Sequence, residues 1–395
     1  LKTAVMFGAD AVYIGGEAFG LRAKAKNFSM EDMKEGVQFA HEHGARVHVT
    51  VNILAHNDDL EGAAEYLKEL KEIGPDALII ADPAIFMLAK EICPEIERHV
   101  STQANNTNYG TFNFWWNLGA KRVVTARELS LKEIREIRAH IPAEMEIESF
   151  IHGAMCISYS GRCLLSNFFT GRDANQGACT HPCRWKYSVV EETRPGEYMP
   201  VYENERGTYI FNSKDLCMIE HIPEMIDAGI DSFKIEGRMK TALYVATVAR
   251  TYRKAIDDYL EDPKKYEANM PWYRDQISNC TYRQFTTGFY FGKPGDESQI
   301  YDSNTYIKEY TYLGIIGGIK DGMYRIEQRN KFSVGETIEI MKPDGQNVEV
   351  TVEKIIDEDG QEQESAPHPK QVLYVALSGE ASVYDILRRQ EGVTE

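Results

Sequence analysis

Over the first 240 positions, short runs of β-branched and aliphatic residues alternate with stretches whose apolar residues recur every three or four places. The strand-like runs are 11–15, 47–52, 77–82, 99–103, 122–126, 146–151, 208–212 and 232–236. Helical patterns such as 30–43 and 60–73 lie between them, several closed by glycine. This alternation predicts parallel βαβ units, and hence a (β/α) barrel or a doubly wound sheet. Polar residues end several strands: Asn52, Asp82, Gln103, His152, Asn212, and Glu236 with Arg238. Some of these are expected to be helix N-caps, a role that suits Asn and Asp. Polar groups at the C-terminal ends of many different strands nevertheless fit a TIM-type barrel mouth better than one crevice.

The pattern changes further along. A long helix is predicted over 239–262, followed by a looser stretch, rich in Tyr and Asn, over 263–294. After about position 302, alternating strands are expected at 310–316, 323–328, 337–341, 347–355 and 371–376, with Gly or Pro-Asp-Gly in the turns. That is the chemistry of a small all-β barrel. The expected organisation is a (β/α) barrel over 1–262, a connecting segment over 263–302 and the small barrel over 303–395. The first nine residues read as the middle of a helix, so the true N-terminus is expected to be missing.

Composition narrows the function classes. A length of 395 residues favours two domains, and 43% hydrophobic with 27% charged residues is ordinary for a globular chain. No apolar run approaches the roughly 18 to 20 residues needed to span a bilayer. Seven cysteines, an odd number unevenly spread, do not make a secreted disulfide framework. A cytoplasmic, reducing location is expected. The net charge of −17 argues against broad nucleic-acid binding. The stretch 152–188 runs against that balance, carrying Arg162, Arg172, Arg184 and Lys186 against Asp173 alone.

Four of the cysteines crowd into that same stretch, an insertion at about 152–190: Cys156, Cys163, Cys179 and Cys183. Thiolates are costly to bury unpaired, and a metal centre is the natural resolution. Zinc knuckles use tight pairs; here one pair is C-x3-C and the other C-x6-C, a width that suits a [4Fe–4S] cluster better. Arg162 and Arg184 adjoin two of the cysteines and would offset cluster charge. Cys93 and Cys280 read as inert core thiols. Cys217 is expected to pack in a helix, with a substitute ligand role as the alternative. A cysteine hydrolase is the competing class, with His152 and His181 near Cys156 and Cys183 as candidate bases.

The second informative motif is Lys234-Ile-Glu236-Gly-Arg238. On a strand, positions 234, 236 and 238 share a side, which leaves either a structural ion-pair set or an anion site. In the second case Arg238 grips a carboxylate or phosphate.

The run from Glu148 through His152 and Gly153 to Cys156, continued by Ser160-Gly-Arg162-Cys163, resembles the signature of the peptidase U32 family. So do Gln176-Gly-Ala-Cys179-Thr-His-Pro-Cys183-Arg184-Trp185, Asn212-Ser-Lys-Asp-Leu216 and Lys234–Arg238. The likeness runs through nearly the whole chain. Members usually begin with a strand of the type Pro-Glu-Leu-Leu-Ala-Pro-Ala-Gly, absent from this sequence, so the resemblance implies that one N-terminal barrel strand is missing. It is nearest to the tRNA-hydroxylating branch, prephenate-dependent enzymes that make 5-hydroxyuridine at the wobble position. The resemblance implies Cys156, Cys163, Cys179 and Cys183 as [4Fe–4S] ligands and prephenate, a dicarboxylate, as co-substrate. The expected partner is a tRNA anticodon loop, with Tyr159 and Trp185 receiving an unstacked base. Arg162, Arg184 and Arg238 are the expected anion contacts. His152, Lys234 and Glu236 are the expected catalytic groups. The family's older description as collagenase-like peptidases implies the alternative, a hydrolase working through the same Cys-rich segment.

Overall fold

The computed structural model describes residues 1–20, 27–156, 159–160, 162–172, 179–180, 182, 189–190, 198–199, 203–204, 207–208, 214–280, 284–294 and 309–391. The chain divides into two compact units. One comprises Leu1, Asp10–Met239 and Arg283–Thr305; the other comprises Lys2–Ala9, Lys240–Tyr282 and Tyr306–Glu395.

The first unit is built on one sheet. Strands β1 (Ala11–Gly15), β2 (Arg46–Val51), β3 (Ala77–Ile80), β4 (Glu97–Val100), β5 (Arg122–Val124) and β6 (Glu146–Ala154) pair in chain order, all parallel. Strand β7 (Asp215–Cys217) runs antiparallel to the end of β6. Strand β8 (Ser232–Ile235) lies parallel beside β6, and β9 (Phe285–Thr286) lies parallel to β7. Seven of the eight strand-like runs in the sequence therefore pair in parallel in this sheet; the run at 208–212 falls mainly outside the described residues. The pattern missed β7 and β9. Both are two or three residues long and carry no alternation to read.

The intervening helices are α1 (Met30–Glu42), α2 (Asn57–Ile73), α3 (Pro83–Ile92), α4 (Tyr109–Leu118) and α5 (Leu131–Ala139). Local chemistry starts them. Ser29 and Asp32 form a capping box on α1, as do Ser130 and Glu133 on α5. Asp82 accepts from the backbone N–H groups of Ala84 and Ile85 ahead of Pro83. Asp82 is thus a helix cap.

Every second sheet residue builds an apolar layer: Val47, Val49, Val51, Leu78, Ile80, Val100, Val123, Ile147 and Ile151 are all buried. Burial of each such side chain contributes about 1.5–3 kcal/mol. Many of the alternate positions are polar and also buried, among them His48, Thr50, His99, Arg122 and Glu148. A parallel sheet covered on both faces ordinarily reads as continuous hydrophobic runs. This one has a charged second face, which places the chemistry.

In the second unit, α6 (Ala242–Glu261) and α7 (Pro263–Ser278) accompany, besides three two-residue strands, six longer ones: β10 (Tyr310–Lys320), β11 (Met323–Glu327), β12 (Thr337–Met341), β13 (Asn347–Asp357), β14 (Val372–Leu377) and β15 (Ile386–Gln390). Their antiparallel pairings run β12–β15–β10–β11–β14–β13 and return to β12, so the ring closes. Leu313, Ile326, Ile340, Val352, Val375 and Leu387 fill it. The stretch from 263, expected to be loose, is helical as far as Ser278. Asp262 caps it, Pro263 opens it, and Asp258 gathers Lys254, Lys265, Asn269 and Tyr273. Both helices cluster with the β unit, whereas the pattern had drawn a boundary at 262.

Candidate functional site

The polar face of the sheet has two levels. The deeper one lies toward the strand starts and centres on Glu148 of β6. Its carboxylate accepts from Lys234 Nζ at 2.5 Å, Arg122 Nη1 at 2.9 Å and Ser232 Oγ at 2.9 Å. Arg122 also holds Glu146. Lys234 sits 4.5 Å over the Tyr13 ring of β1. Burial alone would raise the Glu148 carboxyl. Lys234 and Arg122 outweigh it and hold Glu148 well below the usual carboxylate range. Beside them His48 and His99 meet edge to face at 4.8 Å, and His99 Nε2 bonds Glu97 at 3.0 Å. Burial, reinforced by His99, pushes His48 down to about 3. His99 is lowered too, chiefly by burial. Both imidazoles are therefore neutral at pH 7.

The upper level lies at the C-terminal strand ends. Arg238 Nη2 donates to Asn27 Oδ1 at 2.7 Å and Nη1 to Thr50 Oγ1 at 3.3 Å. Arg127 pairs with Glu236 at 2.8 Å and lies 3.8 Å over the Phe150 ring. His152, 1% exposed, has its carbonyl bonded by the Glu236 N–H and its ring tilted against Phe285. Gly153 permits this approach. Its φ is +121°, and a Cβ there would stand 2.5 Å from Glu236 Cβ. Tyr290 secures the far side by donating to the Phe150 carbonyl at 2.5 Å.

The Cys-bearing segment leaves directly from β6 and is tied across to the end of β4. Ser160 Oγ donates to Gln103 Oε1 at 2.7 Å, and Asn105 Nδ2 donates to the Ser160 carbonyl at 3.1 Å. Cys156 is exposed, and Cys163 and Cys179 are half-buried. Among the described residues, no three His, Cys, Asp or Glu side chains converge to hold a metal ion. Cys183, Arg184 and Trp185 lie outside the described residues, so the fourth expected ligand has no place in that comparison. The donor chemistry of these thiols suits a thiolate-held cluster.

The structure thus brings His152 and Glu236 together at one strand-end level. Lys234 is set deeper, on Glu148, and Arg238 is turned toward β1 and β2. Glu236 and Arg238 lie beyond the end of β8 and take separate partners. Arg162 and Tyr159 are both exposed beyond Cys156. Cys217, expected in a helix, lies on β7 opposite His152 in register, because the chain at 215–217 is captured as an antiparallel neighbour of β6. Cys93 and Cys280 are buried and donate to the carbonyls of Ala89 and Ile277, as core thiols do.

Arg122, Arg127, His48 and His99 were not singled out in the sequence. The period-two polar alternation in Arg46-Val-His-Val-Thr-Val-Asn52 signals His48; His99, Arg122 and Arg127 stand on or just after short strands, where no such alternation can be read. Among the described residues, no helix is long and apolar enough to cross a membrane.

Comparison with known proteins places this architecture. The chain is 42% identical over 391 residues to the tRNA hydroxylation protein P1 of Bacillus subtilis, covering 98% of this chain and 92% of that protein. It is 38% identical to the tRNA hydroxylation protein P of Escherichia coli, over 93% of this chain and 89% of that protein. It is 41% identical to the 23S rRNA 5-hydroxycytidine C2501 synthase of Escherichia coli, over 66% of this chain and 38% of that protein. Residues 1–300 match the model for peptidase family U32, and residues 308–388 match that for the peptidase family U32 C-terminal domain. The chain belongs to peptidase family U32.

Proposed function

We propose that this chain is an RNA-hydroxylating enzyme that installs 5-hydroxyuridine at the wobble position of tRNA. The observation that carries this reading is the exit of the Cys-bearing segment from β6 straight above His152, Glu236 and Arg127, in a chain similar along 98% of its length to a tRNA hydroxylation protein. The kinship to a 5-hydroxycytidine synthase supports the same chemistry, hydroxylation at a pyrimidine C5.

In this proposal the sheet closes into a (β/α) barrel between β8 and β1, a reading supported by the stacking of Lys234 on Tyr13. The strand-end level is then the mouth, where barrel enzymes place their chemistry. Cys156, Cys163, Cys179 and Cys183 would hold a [4Fe–4S] cluster, which supplies one-electron chemistry when bound. Arg238 orients a small dicarboxylate, prephenate, through its planar guanidinium. The Arg127–Glu236 pair fixes the wall beside His152, and His152 moves a proton at the base. Arg162 and Arg184 meet phosphate, and Tyr159 and Trp185 receive the displaced base. The deeper network around Glu148 is the rigid floor.

The test is metal and sulfide analysis of anaerobically purified protein with electron paramagnetic resonance. The reading expects about four iron and four sulfide per chain, the stoichiometry of one such cluster, lost on Cys156→Ser or Cys163→Ser. Bound zinc, or four titratable thiols without iron, overturns the cluster.

A further inference from the structure

Between Cys163 and Cys179 the structure presents a short helix, Leu165–Thr170, whose outward face is apolar. Phe168 is 81% exposed, Leu164 68% and Phe169 46%. Leu164 and Phe168 lie one turn apart on the same side, joined by the Phe168 N–H to Leu164 carbonyl bond. The two phenyl rings sit 5.2 Å apart at 82°, two planes set nearly at right angles.

The opposite side of the helix is fastened down. Ser166 is buried and accepts from the Thr180 N–H at 3.0 Å, with its hydroxyl 3.1 Å from Thr180 Oγ1. Thr170 Oγ1 donates to the Ser166 carbonyl at 2.7 Å and lies 3.3 Å from Thr180 Oγ1. Gly171, with φ at +64°, closes the helix through a bond to the Asn167 carbonyl. The rings are therefore held outward by the residue next to Cys179.

The charge around them indicates the occupant. From Ser149 to Arg172 the chain has no Asp or Glu, although it carries 61 of them in all. It has Arg162 and Arg172, with the exposed ring of Tyr159 beside them. Exposed aromatic planes on a stretch that carries two guanidinium groups match unpaired RNA bases with their phosphates. Holding the rings in place beforehand lowers the ordering cost of binding.

We propose that Phe168 and Phe169 form a stacking platform for loop bases flanking the target nucleotide of a single-stranded RNA segment, with Arg162 and Arg172 on the adjoining phosphates. This rests on the RNA-modifying reading above and deepens it by assigning the contact that seats the loop. The Leu-Leu-Ser-Asn-Phe-Phe run was not singled out in the sequence.

The test uses the full chain and an anticodon stem-loop oligoribonucleotide carrying 2-aminopurine in the loop. Wild-type protein is expected to quench the probe on binding. Phe168→Ala is expected to weaken binding roughly 5- to 150-fold, the range for loss of one stacked base. Its salt dependence should stay unchanged, because no phosphate contact is lost. Phe168→Trp should bind at least as well as wild type. Equal binding by Phe168→Ala and wild type overturns the platform while leaving the RNA reading intact. A change in sedimenting mass for Phe168→Ala with unchanged RNA affinity makes the face a contact between two copies instead, and also overturns it. Absence of any stem-loop binding by wild type overturns both the platform and the RNA reading.

Discussion

The charged floor of the sheet allows a prediction with a worked magnitude. Glu148→Gln keeps the shape of the side chain and removes its charge. Lys234, whose side chain is 10% exposed, then loses its carboxylate and keeps the faces of Tyr13 at 4.5 Å and Phe150 at 5.9 Å. Arg122 retains Glu146 at 2.5 Å, so the loss falls mainly on Lys234. Removing one partner of a buried pair costs about 3–5 kcal/mol, because the remaining charge stays desolvated. Replacing both partners by uncharged groups of similar volume is near neutral in comparable sites. Glu148→Gln is therefore expected to destabilise by about 3–5 kcal/mol, and Glu148→Gln with Lys234→Met by at least 2 kcal/mol less than the sum of the single changes. Urea unfolding at pH 7, followed through the buried Trp115 of the same unit, measures all corners of the cycle. Additive single effects would refute the claim that Glu148 and Lys234 form one unit.

Two further outcomes follow from the same geometry. Gly153→Ala should destabilise by about 2–4 kcal/mol and loosen the Arg127–Glu236 pair, since φ is +121° and Glu236 Cβ blocks the added methyl; Gly171→Ala, with nothing within 4 Å, should cost about 1 kcal/mol. Equal thermal shifts for the two variants would contradict the steric account. His48 is depressed to about 3 in the folded chain against 6.5 unfolded, so below pH 6.5 the unfolded chain takes up a proton that the folded chain refuses. Stability should fall by about 1.4 kcal/mol per pH unit from this residue as pH drops from 6.5 toward 3. The lowered His99 adds to the fall in the same direction. His48→Gln should flatten the melting temperature profile between pH 7 and 5; parallel profiles would contradict the assignment.

The parallel sheet was legible because its apolar alternate positions recur between capped helices, as at Ser29 with Asp32 and Ser130 with Glu133. Strand starts and ends moved by one to three residues, as boundaries do where propensity alone sets them. The ring strand at Ile386–Gln390 escaped notice because it is written Ile-Leu-Arg-Arg-Gln, yet Arg388 is fully buried against Tyr310 and Glu339. The helix from Pro263 was hidden for a related reason. Asp258, one helix earlier, ties it down, and its buried side is Tyr266, Tyr273, Gln276 and Ile277, too polar a set to read as an apolar stripe. In the candidate site, His152, Glu236 and Arg238 were readable as polar residues beyond strand ends. Their partners Arg127, Asn27 and Thr50 come from loops and strands distant in sequence, a relation that only the fold supplies. The polar layer around Glu148 was written in plain alternation, and reading it required knowing that both faces of the sheet are buried.

The central claim is that this chain hydroxylates tRNA, and total tRNA reports on it directly. Nucleosides from a strain lacking the gene, analysed by mass spectrometry, should lose the 5-hydroxyuridine-derived wobble species. Expression of the wild-type chain should restore them, and Cys163→Ser should not. Unchanged wobble nucleosides in the deletion strain would contradict the account. Peptide hydrolysis by the pure protein, abolished by Cys156→Ala yet indifferent to loss of iron, would then assign the Cys-rich segment to a hydrolase.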